Sequence, residues 1–407
     1  MFLNRTRIVK TALCLAIGIA AQTATAQDRK NIVGTTLEVV GGRTNRFGNF
    51  ALGSNSSQKQ PLFFFYGLYP GISLTSTGAH SAWSAAYAFG MNRAETDTQL
   101  HSNSHAGSVR FTDTPSQHWK IGVSDGFEIS DDVSTFNGLR GNVPVVGDFR
   151  FVFNPVANRI TTKSNTATVT SDYMMTDKST LSFSGSHVLR NYSQPGINNS
   201  LSDQQAAIGN VLYRRKTSSR DSWSIGYTAS YYDFVQFEDS LAHTAVIGYS
   251  TILGRDTALQ FTVGPSYVRD LDSKSDYLGY STNVTLQKMI ENNQFAVFFN
   301  QGTGQSSGLG SISDTRNAGV SIGRVTRRVR IFADVSAFDT TARLDNTFST
   351  RGVAGTVTVG VPLTKTLFFQ GGVQYQHYDQ SQPYGFDQKR FFISLRYENP
   401  NLFKFSN

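Results

Sequence analysis

The 407-residue chain has one cysteine, Cys14, and it sits in an apolar run near the N-terminus. Without a second cysteine there is no disulfide, and no thiolate metal site can form. No stretch rich in proline, serine or glycine divides the chain, so nothing marks a linker between domains. Beyond the first residues no apolar run approaches the roughly 20 residues that a membrane-spanning helix needs. Tryptophan is scarce, with 3 residues against 30 Phe and 17 Tyr. Charge of one sign is also scarce. The formal net charge is +8, and without Arg5, Arg7 and Lys10 it falls to 34 basic against 29 acidic side chains, or +5. That bias is spread along the chain with no basic stripe, which argues against nucleic-acid binding.

The first residues read as a secretory signal over 1–26. Arg5, Arg7 and Lys10 supply the positive start, Thr11 to Ala21 the apolar core, and Ala24-Thr25-Ala26 the small residues of a cleavage site. Leu13 precedes Cys14 and Lys10 is close, so lipidation of the cysteine is not expected.

What the rest of the chain does have is a short pattern, repeated many times. Apolar or aromatic residues alternate with polar or small ones for eight to ten residues, a polar turn follows, and the pattern restarts. Trp223, Ile225, Tyr227, Ala229 and Tyr231 interleave with Ser224, Gly226, Thr228 and Ser230. Leu367, Phe369, Gly371, Val373 and Tyr375 form another such row. Side chains on a strand point alternately to its two faces, so each segment has one apolar and one polar face. Together with an export signal, this predicts a transmembrane antiparallel up-and-down β-barrel of the outer-membrane type, in which lipid-facing and lumen-facing residues average to a mildly polar composition. The aromatic residues suit girdles at the two membrane surfaces.

Candidate strands fall near 33–41, 63–77, 81–93, 99–112, 117–130, 164–175, 179–191, 203–215, 221–234, 241–253, 256–269, 276–289, 293–303, 314–326, 328–339, 351–362, 365–378 and 388–398. The first is the weakest, with only Val33, Leu37 and Val39 as its apolar row. Tight links at Gly254-Arg255-Asp256, Glu291-Asn292-Asn293, Arg327-Arg328 and Thr364-Lys365 alternate with longer ones around 190–202, 303–313, 340–350 and 379–388. Short turns are periplasmic and long loops extracellular in such barrels, which leaves both chain ends periplasmic and the strand number even. About 16–18 strands are expected, 18 in preference, enough to enclose an aqueous bore. The expected organisation is a 27–62 N-terminal segment with a possible first strand, a 63–398 barrel, and a 399–407 C-terminal tail.

On strands of clear phase the lumen row includes Arg110, Lys120, Asn283, Gln287, Arg330, Asp334, Gln370, Gln374 and Arg396. Amides and charges of both signs suit a hydrated wall, where substitutions tune selectivity. The longest connection, 132–163, carries an apolar series from Phe136 to Phe153 with Arg140, Arg150 and Arg159. An exposed loop this apolar needs burial, either in the lumen as a constriction or over the barrel mouth.

Catalytic signals are weak. His105 with Ser108, and His243 with Ser240 and Glu238, are the only Ser–His neighbours worth weighing, and a chain so rich in serine gives them by chance. Gly304-Gln305-Ser306-Ser307-Gly308 matches Gly-x-Ser-x-Gly, but no helix is expected after it, so it does not make a nucleophile elbow. Gly302 to Gly310 reads as a flexible loop, since no helix follows to complete a phosphate site. His101 and His105 have a spacing that suits ligation from a helix, whereas this region reads as turn and strand. The expectation is a protein without catalytic, metal or cofactor sites.

Several stretches resemble the large barrels found beside exopolysaccharide and exosortase (PEP-CTERM-associated) gene clusters of Gram-negative bacteria. They are Tyr66-Gly67-Leu68, Pro70-Gly71-Ile72-Ser73, Ser134 to Gly141, Leu201-Ser202-Asp203-Gln204-Gln205, Gly264-Pro265-Ser266-Tyr267-Val268, and Leu395-Arg396-Tyr397 with Asn401-Leu402-Phe403. The resemblance implies an outer-membrane barrel associated with export of cell-surface polysaccharide, and carries no catalytic residues. One departure is the end of the chain, which runs past Tyr397 to Phe405-Ser406-Asn407, whereas such barrels commonly end on an aromatic residue. The leading expectation is a channel passing polar solutes or glycan, set in outer-membrane lipid. A surface adhesin or assembly protein with a plugged barrel is the alternative, and a barrel hydrolase the third. The sequence does not fix the oligomeric state.

Overall fold

The computed structural model describes residues 29–45, 62–95, 101–130, 161–193, 203–235, 239–305, 312–342, 349–380 and 386–406. They form 18 strands. The first nine are β1 (Lys30–Thr44), β2 (Phe63–Thr77), β3 (Ser81–Ala94), β4 (Ser102–Ser116), β5 (Trp119–Ser130), β6 (Thr161–Thr176), β7 (Ser179–Ser193), β8 (Gln204–Lys216) and β9 (Asp221–Phe234). Then come β10 (Ser240–Ile252), β11 (Thr257–Asp270), β12 (Asp276–Ile290), β13 (Asn293–Gln305), β14 (Ile312–Val325), β15 (Arg330–Ala342), β16 (Ser349–Pro362), β17 (Leu367–Gln380) and β18 (Phe386–Ser406).

Each strand pairs antiparallel with its neighbour in sequence, and β1 pairs with β18 to close the ring. Closure satisfies every strand edge, which a structure crossing lipid requires. Carried once around the ring, the register returns to β1 displaced by about 22 residues. For this strand number that stagger sets a tilt of roughly 40° and a backbone radius of roughly 18 Å.

The weak first segment is a full strand. The barrel therefore runs from Lys30 to Ser406, beyond the 63–398 bounds read from the sequence, and residues 399–406 extend β18 where a tail was expected. Long-range pairing explains both ends. Leu37 opposes Pro70 and Tyr397, and Lys30 opposes Ser406, so two flanking ladders hold a segment whose own alternation is poor. The β1–β18 register shifts between Val33 and Thr35, opposite Pro400. Proline has no N–H to give the ladder, and a bulge absorbs the gap. Arg29 fastens the start of β1, its Nε donating to Ser76 Oγ (2.9 Å) and its Nη1 to Ser81 Oγ (3.0 Å). Thr161, Thr162 and Lys163, read as loop, begin β6. The rest of the long connection, with Arg140, Arg150 and Arg159, lies outside the described residues, as do the 1–26 signal and Glu238.

The tight links close as expected, with the chain turning through left-handed backbone at Gly254 (φ 75°) and Glu291 (φ 53°). Glycine bears that conformation freely and glutamate bears it at some cost. The outward rows are apolar and solvent-exposed in isolation, as at Val109 (55%), Ile247 (59%), Val335 (59%) and Ile393 (58%), which is the surface that lipid covers. Aromatic residues gather on the short-turn side of these rows, where Trp119 lies 5.2 Å from Tyr173 and Trp223 lies 5.3 Å from Tyr213, ring centre to ring centre. Farther up the rows Tyr87 Oη is 2.7 Å from His105 Nδ1, and Tyr227 Oη is 2.6 Å from His243 Nδ1. No helix among the described residues is long and apolar enough to cross a membrane.

Candidate functional site: the lumen wall

Alternation and register put all nine sequence-predicted lumen residues on the inward face. Arg110 opposes Ser84 and Ser124, and Lys120 opposes Asp172. Asn283 donates through its side-chain amide to Asn300, across β12 and β13, and Gln287 stands farther down β12 opposite Ala258 and Ala296. The other five come together on one side of the bore, on β15, β17 and β18.

That side is layered. Nearest the short turns, Arg330, Gly360, Gln370, Ser394 and Val40 follow one another across adjacent strands. Next come Phe332, Thr358, Gly372, Phe392 and Gly42. Above them run Ser321, Asp334, Thr356, Gln374, Arg390 and Thr44, a polar row with a carboxylate near one end and a guanidinium near the other. Asp334 and Arg390 are three strand spacings apart, roughly 14 Å. Arg396 sits below, its Nη2 donating to Glu398 Oε2 (2.8 Å) with Glu38 opposite it on β1.

Two arginines lie on rings. The Arg390 guanidinium carbon is 4.1 Å from the centre of Phe65, and that of Arg330 is 4.6 Å from the centre of Phe368. Such stacking holds a cation flat on the wall. Other inward phenylalanines lie over glycines of the next strand. A Cβ added at Gly319 would stand 2.5 Å from Phe298 Cζ, and one at Gly372 would stand 2.6 Å from Phe392 Cζ. The ring restores the packing that a glycine lacks in a strand interior, and it keeps the aromatic bulk out of the bore. This side is closely packed. Arg390 is 1% exposed, Asp334 5% and Glu38 5%.

The wall formed by β6 and β7 is different. Its inward row on β6 runs Thr162, Ser164, Thr166, Thr168 and Thr170, and on β7 Thr180, Ser182, Ser184 and Ser186, with Thr168 opposite Ser186 and Thr170 opposite Ser184. Hydroxyls both donate and accept, so the middle of this surface can hydrogen-bond water or a polyhydroxylated solute, with the charges of Asp172, opposite Ser182, and Arg190, opposite Ser164, towards its two ends.

Sequence reasoning missed Arg390, Glu38 and the hydroxyl wall. Arg390 shares the phase of Arg396 and was reachable by extending that row upward. Glu38 was hidden by the weak first strand. The hydroxyl rows lie on strands whose outward alternation is interrupted by Asn165 and His187, which blurs their phase. The weak catalytic pairs are separated by the sheet itself. His105 points outward and Ser108 inward, and His243 points outward while Ser240 is buried on the inner face. A spacing of three puts strand side chains on opposite faces.

No family model matches the chain, and no curated protein matches it. Among solved structures, the barrel is similar to Pseudomonas aeruginosa OccK2 (OpdF), with a TM-score of 0.49, 9% identity, and 90% of this chain and 98% of that one covered. It is also similar to Acinetobacter baumannii OccAB4 (TM-score 0.48, 9% identity, 92% and 99% covered). A third likeness is to the P. aeruginosa outer-membrane protein OpdK (TM-score 0.47, 11% identity, 90% and 99% covered).

Proposed function

We propose that this protein is a channel of the bacterial outer membrane that passes small polar solutes. The observation that carries the reading is a closed 18-strand ring whose inward rows are hydroxyls, amides and charges of both signs. Barrels of this strand number are wide enough to hold an aqueous path. Asp334 and Arg390, packed within one side of the wall, would act on a polar or ionic solute through their field and not by contact, and the hydroxyl side would keep it hydrated. Arg110 and Lys120 would add positive potential farther round the wall, on β4 and β5. The resemblance to exopolysaccharide-associated barrels would make the solute a glycan, and the hydroxyl wall is compatible with that class.

The test is purification, reconstitution into planar bilayers, and swelling of vesicles in sugars of increasing size. Stable open steps and size-limited swelling support the channel. A silent barrel favours the plugged adhesin or assembly protein, and swelling that extends from small sugars to oligosaccharides favours glycan passage.

A further inference from the structure

We propose that two copies of this chain pair in the membrane through the outward face of β5, β6 and β7. Around the rest of the ring the middle of the lipid-facing belt runs through residues such as Val263, Val297, Val320, Val335, Val357 and Ile393, all exposed. On β5 to β7 it runs through Asp125, Asn165 and His187. Asp125, Ala167 and His187 follow one another directly across the three strands. Asp125 is six residues above Trp119 of the periplasmic girdle, about 15 Å along the barrel axis and so near the middle of the belt.

Hydrocarbon offers these groups neither donors nor acceptors, and an ionisable side chain at this depth needs a polar partner. Asn165 Nδ2 donates to Asp125 Oδ1 (2.9 Å), which supplies one bond to a carboxylate that can accept several. The outward imidazoles of His105 and His243 each meet a tyrosine hydroxyl. His187 Nδ1 is covered by the chain itself without a hydrogen-bond partner, which leaves Nε2 as the ring nitrogen that a group from outside can meet.

The surroundings allow close approach. Ala167, Ala207, Gly185 and Gly209 floor the patch, and a Cβ added at Gly185 or Gly209 would meet nothing within 4 Å. The occupant that fits is a second copy. Its insertion direction is the same, so the symmetry axis must lie along the membrane normal. An axis over β6 sets the Asp125 edge of one barrel against the His187 edge of the other; the strand tilt raises His187 roughly 6 Å above Asp125, so carboxylate and imidazole approach diagonally on both sides of the axis. That is the self-complementarity an isologous contact requires. The inference stands on the outer surface and does not depend on what the lumen conducts.

Cysteine cross-linking tests it. With Cys14 replaced by serine the chain has no other cysteine. In isolated outer membranes, Ala167→Cys beside the axis should give a disulfide-linked dimer on oxidation, reversed by reductant, and Gly209→Cys should link through a longer bifunctional reagent. Val297→Cys, on a distant part of the same belt, should stay monomeric. Adding His187→Leu to Ala167→Cys should lower the dimer fraction at least tenfold while heat-modifiable gel migration, the mark of a folded barrel, is kept. Monomers at both Ala167→Cys and Gly209→Cys overturn the proposal. So do equal dimer yields from Val297→Cys, or a cross-linked product of another mass, which would mean a different envelope protein covers the patch.

Discussion

Placing an arginine at Val335 tests the assignment of inside and outside most directly. Val335 is 59% exposed, its cross-strand neighbours are Val320 and Gly355, and Ile322 and Val357 lie diagonally beside it. None of these offers a guanidinium an acceptor. Val335 is five residues above Arg330 at the foot of β15, about 13 Å along the axis, farther than an arginine stem can snorkel to reach water. Near the midplane such a substitution costs roughly 2–4 kcal/mol, a factor of roughly 30 to 800 in the folded-to-unfolded ratio. The natural comparison, Ser336, faces the lumen but is 4% exposed beside Ala354 at 4%, so an arginine there would be punished by packing and would not report polarity. Thr166 is the better control, since it faces the lumen and is exposed. Urea unfolding in lipid vesicles can be followed through Trp83, Trp119 and Trp223, all on outward rows. Val335→Arg should lower the midpoint with the slope unchanged, and Thr166→Arg should shift it by less than about 1 kcal/mol. Equal shifts, or a larger one for Thr166→Arg, would refute the assignment of faces.

Other outcomes are equally open to measurement. The barrel should migrate faster on gels before boiling than after, because a ring without free edges resists detergent; identical migration would argue against closure. Gly372→Val should cost about 1–3 kcal/mol by driving a side chain into Phe392, with Phe392→Ala restoring part of it; additive losses in the double variant would mean the two do not touch. Lys120→Glu, exposed on the inward face near the periplasmic mouth, should move the reversal potential towards cations in ~0.1 M salt and lose that effect at ~1 M, where screening shortens to about 3 Å. A reversal potential unmoved at low salt would remove Lys120 from the conducting path.

The faces of the strands were legible in the sequence because side-chain alternation is local. Val329, Ile331, Ala333 and Val335 declare an outward row by themselves, and Asp334 is inward as a consequence. The even strand number followed in the same way from short and long connections. A closed barrel was expected from the sequence, but its closing seam was not legible, since it rests on pairings such as Thr44 with Arg390 that join opposite ends of the chain and leave no mark on either segment. This is why β1 looked weak and residues 399–406 looked like a tail. The stagger of the ring, and with it the tilt and the radius, is likewise a sum over all the pairings. Only the tertiary structure set Asp334 and Arg390 in one row, laid Phe392 over Gly372, and lined up Asp125 with His187 on the outer belt. Alternation fixes which way a side chain points, and register, a property of two strands at once, decides what it meets there.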